Sequence, residues 1–92
     1  FPAELKSPTN DAIISAATVN FEWTGSDVDN DVKDYEVYID TNASPTTKVT
    51  TTTNQNLNNQ SVSGGTTYYW KIVTHDEHGN SSTSEVYSFT TN

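Results

Sequence analysis

The sequence predicts an all-β fold, a two-layer sandwich of about seven antiparallel strands, and three observations carry that prediction. Thr, Ser and Asn make up about two residues in five; Thr favours strands and Asn favours turns. Four segments, TVNFEW (18–23), DYEVYID (34–40), TYYWKIVT (67–74) and SEVYSFTT (84–91), alternate large apolar and polar residues, the period of a strand with one buried face. Turn-forming Gly, Pro, Asn and Asp separate them at regular spacing, and no stretch carries a helical period.

The 92 residues make one domain, with residues 1–4 as a lead-in segment. In FPAELKSPTN, Pro2 and Pro8 flank Leu5; proline cannot donate to a ladder, so an edge strand is expected, with Ile13 and Ile14 continuing it. Val19, Phe21 and Trp23 face one way in the next strand. TGSDVDNDVKD (24–34) is an acidic loop. Tyr35, Val37 and Ile39 then point inward, with Glu36, Tyr38 and Asp40 outward. KVTTTT is polar on both faces and suits a short edge strand, and NQNLNNQSV, anchored by Leu57 and Val62, suits another. Tyr68, Trp70, Ile72 and Thr74 share the inner face of the longest strand, which ends in a turn where Gly79 and Asn80 suit positive φ. Tyr87 and Phe89 point together in the last strand. The predicted core is Val19, Phe21, Trp23, Tyr35, Val37, Ile39, Tyr68, Trp70, Ile72 and Phe89.

A chain this short buries only about two thirds of its unfolded surface. With no cysteine it has neither disulfides nor zinc thiolates to brace it, so two Trp, five Tyr and three Phe must build the core. The net charge of −8 opposes phosphate backbones and anionic lipid, which excludes nucleic acid and membrane surfaces as partners and favours divalent cations. No apolar run reaches membrane-spanning length, so no membrane insertion is expected. Phe1 in place of an initiator Met reads as a mature form or an excised fragment.

The chain resembles a fibronectin type III domain of the kind found in bacterial cell-surface and secreted proteins. The resemblance covers nearly the whole length: Pro8 at the start, Trp23 in FEWTGSD, DYEVYID as third strand, then VSGGTTYYWKIVTHDEHGNSS and YSFTT. It implies an Ig-like β-sandwich of fibronectin type III topology, in which Tyr68 holds the position of a tyrosine that braces the turn before it. Val62 stands where the family has Leu, and Gly64 where it has Pro. The lack of a cysteine pair sets the chain apart from antibody-type domains. The fold by itself assigns no function.

Three constellations are candidates for chemistry. In SDVDNDVKD, Asp27, Asp29 and Asp31 concentrate hard oxygens, and calcium takes six to eight such ligands. The pattern departs from an EF-hand, with Val32 at position six from Asp27 and Tyr38 at position twelve. The resemblance implies that the loop holding Asp76 and Glu77 lies at the same end, so Asp76 joins the expected calcium site. The plainer alternative is a solvated acidic turn. His75 and His78 are too few for zinc without further ligands, and a polar hairpin tip is the favoured reading. On the outer face of the third, sixth and seventh predicted strands, Tyr38, Tyr69, Val73 and Val86 surround Lys71, a set that can dock a domain or stack on sugars. Its alternative is tyrosine that simply suits strands.

Catalysis finds no support: there is no GxSxG elbow, and Gly64-Gly65 lacks the lysine of a phosphate loop. The sequence therefore predicts a non-catalytic spacer or docking module of a larger extracellular or cell-envelope protein, stiffened by calcium. Its partners would be neighbouring domains of the same polypeptide, another surface protein, or a polysaccharide bound through the tyrosine face.

Overall fold

Period-two alternation fixes the architecture, because each strand can bury only one face and must meet a second sheet to do so. The computed structural model describes residues 3–25 and 32–92. Within them are nine strands and no helix: β1 (Glu4–Ser7), β2 (Ala12–Ile14), β3 (Thr18–Thr24), β4 (Val32–Asp40), β5 (Lys48–Thr52), β6 (Asn56–Ser61), β7 (Thr67–Asp76), β8 (Ser81–Thr83) and β9 (Tyr87–Thr91). One sheet has the order β1-β3-β6; the other runs β2-β9-β7-β4-β5, with β8 also paired to β7. This is the predicted Ig-like sandwich.

The core lies between the sheets and matches the predicted facing. Phe21 sits at its centre, edge-on to Trp70 at 5.0 Å and to Phe89 at 5.7 Å between ring centroids. Trp23 meets Tyr35 edge-on at 5.8 Å. Such contacts add to the area burial that drives the fold. Tyr68 is half-buried, stacked on Phe89, and its hydroxyl accepts the Ser63 amide at 2.9 Å, the expected bracing of the turn before the strand. Leu5 is also buried, as is Ala3 at 5% exposure; Ala3 and Glu4 therefore belong to the sandwich rather than to a lead-in segment. Gly25 closes β3 where any Cβ would fall 1.7 Å from the Tyr35 hydroxyl, so the core itself requires glycine there.

The extra strands arise where the chain turns more sharply than its pattern suggests. Ile13 and Ile14 do not continue the first strand. Asp11, at φ 64°, turns the chain after Pro8, and β2 crosses to the other sheet to pair with β9 in parallel, the one departure from the antiparallel expectation. The acidic loop is shorter than expected, because Val32 and Asp34 already pair with Asp76 and His75 of β7. The final strand is broken: β8 pairs with Val73–His75, β9 with Thr67–Trp70, and Ser84–Val86 bridge the gap. There the buried Ser84 hydroxyl accepts the Ile72 amide at 2.9 Å and stands in for the missing ladder bond. At the β7–β8 hairpin Gly79 takes φ +83° as expected, but Asn80 is not at positive φ and uses its side chain instead.

Candidate functional site

β7 is the longest strand of a body measuring 41 × 22 × 19 Å, and its ten residues Thr67–Asp76 run from the turn beside Thr91 to the hairpin at Gly79. Their outward side chains, with those of β4 and β5, build the candidate face. Directly opposed pairs are Asp34 with His75, Glu36 with Val73, Tyr38 with Lys71, and Asp40 with Tyr69. On the same face Tyr38 also opposes Lys48 of β5.

The structure brings Tyr38, Tyr69 and Val73 together on this face, all half-buried. Val86 lies before β9 and is 38% exposed. Lys71 Nζ sits 5.1 Å from the centroid of the Tyr38 ring, a cation–π pair that occupies one face of that ring. Sequence reasoning missed Ile13, at 71% exposure the most exposed large apolar side chain among the described residues. Alternation offered the signal, since only one of two adjacent isoleucines in a strand can face the core.

Towards one pole the face becomes ionic. His75 Nε2 lies 2.8 Å from Glu36 Oε1, and Lys48 Nζ lies 3.2 Å from Glu36 Oε2. The His75 hydrogen bond, with Lys48 behind it, holds the Glu36 carboxyl below its ordinary range. An open cleft of about 400 Å³ lies here, lined by Lys33, Asp34, Glu36, His75, Asp76 and Glu77. Asp76 is spent on its own hairpin. Its Oδ1 accepts the amides of His78 at 2.9 Å and Asn80 at 2.8 Å, and Oδ2 accepts Asn80 Nδ2 at 3.3 Å. These bonds, that of the Asn80 amide foremost, lower its pKa. Asp27, Asp29 and Asp31 lie outside the described residues, and among the described residues no three His, Asp or Glu side chains cluster in a metal-ligating arrangement. A carboxylate pair for acid–base work needs one member held protonated, whereas Glu36 and Asp76 are both shifted the other way.

The opposite pole is held mainly by neutral groups. The buried Thr91 hydroxyl donates to the Ser63 carbonyl and accepts the Thr66 amide at 3.0 Å. Gly65, at φ +69°, donates its amide to the Thr91 carbonyl. The Asn92 amide donates to the Ile14 carbonyl at 3.0 Å, and its Nδ2 donates to Ser15 Oγ at 2.7 Å. A second open cleft, about 340 Å³, lies here among Ser15, Ala16, Ala17, Val62, Gly64 and Asn92. Asp40, at the end of β4, folds onto its own loop: bonds from the Thr46 amide first, then Thr47 Oγ1 and the Thr41 amide, lower its pKa to about 2.

Comparison with known families places this geometry. The profile of the Rha78A-like N-terminal immunoglobulin domain matches residues 4–92. The chain belongs to that family. A comparison with curated proteins found no match. Among solved structures the Rha78A-like domain is similar to the fibronectin(III)-like modules of Clostridium thermocellum CbhA, with TM-score 0.77 and 13% identity over 98% of this chain and 96% of that one. It is also similar to a beta-1,2-glucanase from Parabacteroides distasonis, with TM-score 0.73 and 18% identity, and 98% of this chain covers 12% of that one. For an alpha-L-rhamnosidase from Streptomyces avermitilis complexed with L-rhamnose the TM-score is 0.69 and the identity 14%, with 98% of this chain covering 10% of that one. At such identities the likeness carries the fold. The Rha78A-like domain is thus a small immunoglobulin-like module, and no helix among its described residues is long and apolar enough to cross a membrane.

Proposed function

We propose that this chain is a non-catalytic spacer and docking module within a larger secreted or cell-envelope polypeptide that processes polysaccharide. The observation that carries the reading is one of proportion: the whole module corresponds to about a tenth of two glycoside-processing enzymes. The geometry supports it. β1 begins beside Thr24, at the acidic pole, while Asn92 leaves from the other, so the module extends a chain rather than folding it back. Its partners are the neighbouring domains and, through the tyrosine face, another surface protein.

The test has two arms. The chain alone should release no reducing sugar from a panel of glycans, and removing it from the longer polypeptide should lower the melting point of what remains. Hydrolysis by the chain itself would overturn the reading. A second reading, carbohydrate binding, rests on Tyr38 and Tyr69 sharing an exposed sheet face. In retardation gels that reading requires a polysaccharide that slows the chain but not its Tyr69→Ala variant. Calcium stiffening, the remaining proposal, rests on Asp27, Asp29, Asp31 and Asp76, the last of which also accepts three hydrogen bonds from its hairpin. A calcium-specific rise in the melting point over EDTA, lost in Asp29→Ala, would assign it; coincident melts would make these aspartates a solvated turn.

A further inference from the structure

We propose that the pole around Asn92 is the seat on which the following domain of the same polypeptide docks, through a small uncharged apolar patch of that domain. The proposal rests on the docking reading above and gives it a location.

Charge is distributed unevenly along this chain. Residues 12–21, 49–70 and 86–92 contain no Asp, Glu, Lys or Arg, although the molecule carries sixteen such residues. Part of each segment meets at one pole, where β2 pairs with β9, Val62 lies beside Ala17, and the turn before β7 is tied to Thr91, while Thr51 and Gln55 of the middle segment lie towards the other. The cleft there has no ionisable side chain in its lining, whereas the cleft at the other pole is lined mainly by ionisable groups. Two carboxylates near this pole are already engaged. Asp11 accepts a hydrogen bond from Ser88 Oγ at 3.1 Å, and Asp40 is held by Thr41, Thr46 and Thr47. Depletion of charge, more than bulk hydrophobicity, marks the centre of a protein interface, because an ion there must shed its water.

The shape fits a close neighbour. Ala16 and Ala17 are exposed and small, so a facing backbone can approach closely, and Ile13 projects from β2 at the same end. The exit point is fixed, since Asn92 is bonded to both Ile14 and Ser15. A domain joined directly after it would start at the seat and meet it at high effective concentration. The occupant is inferred from the family description, which names an N-terminal immunoglobulin domain.

Calorimetry of this module alone, and of the polypeptide carrying it with the domain that follows, tests the proposal. The module's midpoint should rise by about 5 °C or more in the longer chain. Ala16→Glu and Ala17→Glu should abolish that rise while leaving the melt of the module alone unchanged. Equal midpoints in both contexts would overturn the proposal and leave a pure spacer. A rise that survives both variants but is lost in Tyr69→Ala would move docking to the sheet face. A concentration-dependent dimer of the module alone, split by Ala17→Glu, would assign the seat to a second copy. In none of these cases does the non-catalytic reading fail; only hydrolysis by the chain itself does that.

Discussion

The two ends of β7 are held by opposite chemistries. At Thr67–Trp70 the neighbours are hydroxyls and amides, with Thr91 tying the preceding turn into the sheet. At Thr74–Asp76 the neighbours are carboxylates, Glu36 gripping His75 and Asp76 closing the hairpin. One strand therefore carries a pole tied mainly by neutral groups, with Asp40 its one carboxylate opposite β7, and a pole tied by carboxylates. The difference teaches where a net-acidic module places its charge: away from the surface that must be dehydrated, and into the turns that need acceptors.

The largest effect should come where the two ends meet. Trp70 is fully buried against Phe21 and Tyr87, and Trp70→Ala should cost about 3–5 kcal/mol in chemical denaturation, enough to unfold both poles together. A variant that kept a cooperative melt near wild type would break the assigned strand facing. Thr91→Val should cost about 1–3 kcal/mol, because the valine leaves the Ser63 carbonyl and Thr66 amide without their side-chain partner. That penalty should be equal at pH 7 and pH 4; a pH-dependent loss would erase the contrast between the poles.

Glu36→Gln should act through pH. The folded state holds the Glu36 carboxyl below its ordinary 4.5, so its contribution is fully present above that value and disappears as acid protonates the folded form. The variant should lose under about 1 kcal/mol at neutral pH and show a flatter acid limb in pH-dependent melts. The smallest effect concerns the one carboxylate opposite the start of β7. Asp40 should titrate at about 2 by NMR rather than at 3.8, keeping its loop intact until pH falls through that value. A midpoint at the ordinary aspartate value would mean that the Thr46 and Thr47 bonds do not form.

Much of the fold was legible because large aromatics at period two leave a strand little choice of face. Phe21, Trp23, Trp70 and Phe89 were assigned to the core on that ground alone, and Tyr68 was placed as the brace by resemblance. The split of the first strand was not legible. A positive φ at Asp11 is a backbone choice, and its side chain does not announce it. Ser84 was hidden for a related reason: a serine within a β-rich run reads as strand, yet here its hydroxyl replaces a ladder bond. At the candidate sites the tyrosine face followed from alternation. The hairpin bonds of Asp76 did not, because a carboxylate that accepts backbone amides looks the same in sequence as one that faces a cation.

The parallel pairing of β2 with β9 gives the module a mechanical character. A pull transmitted along the polypeptide draws β2 towards its N-terminal end and β9 towards its C-terminal end. Because the strands run the same way, Ala12, Ile13 and Ile14 are dragged lengthwise past Phe89, Thr90 and Thr91. Their hydrogen bonds lie across that direction and are loaded in shear together rather than opened one after another like a zip. The Asp11 amide on the Ser88 carbonyl and the Asn92 amide on the Ile14 carbonyl extend the clamp at either end. A short strand that contributes little to the core thus clamps β9, the strand a pull from the C-terminal side meets first, while from the N-terminal side β1, paired with β3, takes the load before β2.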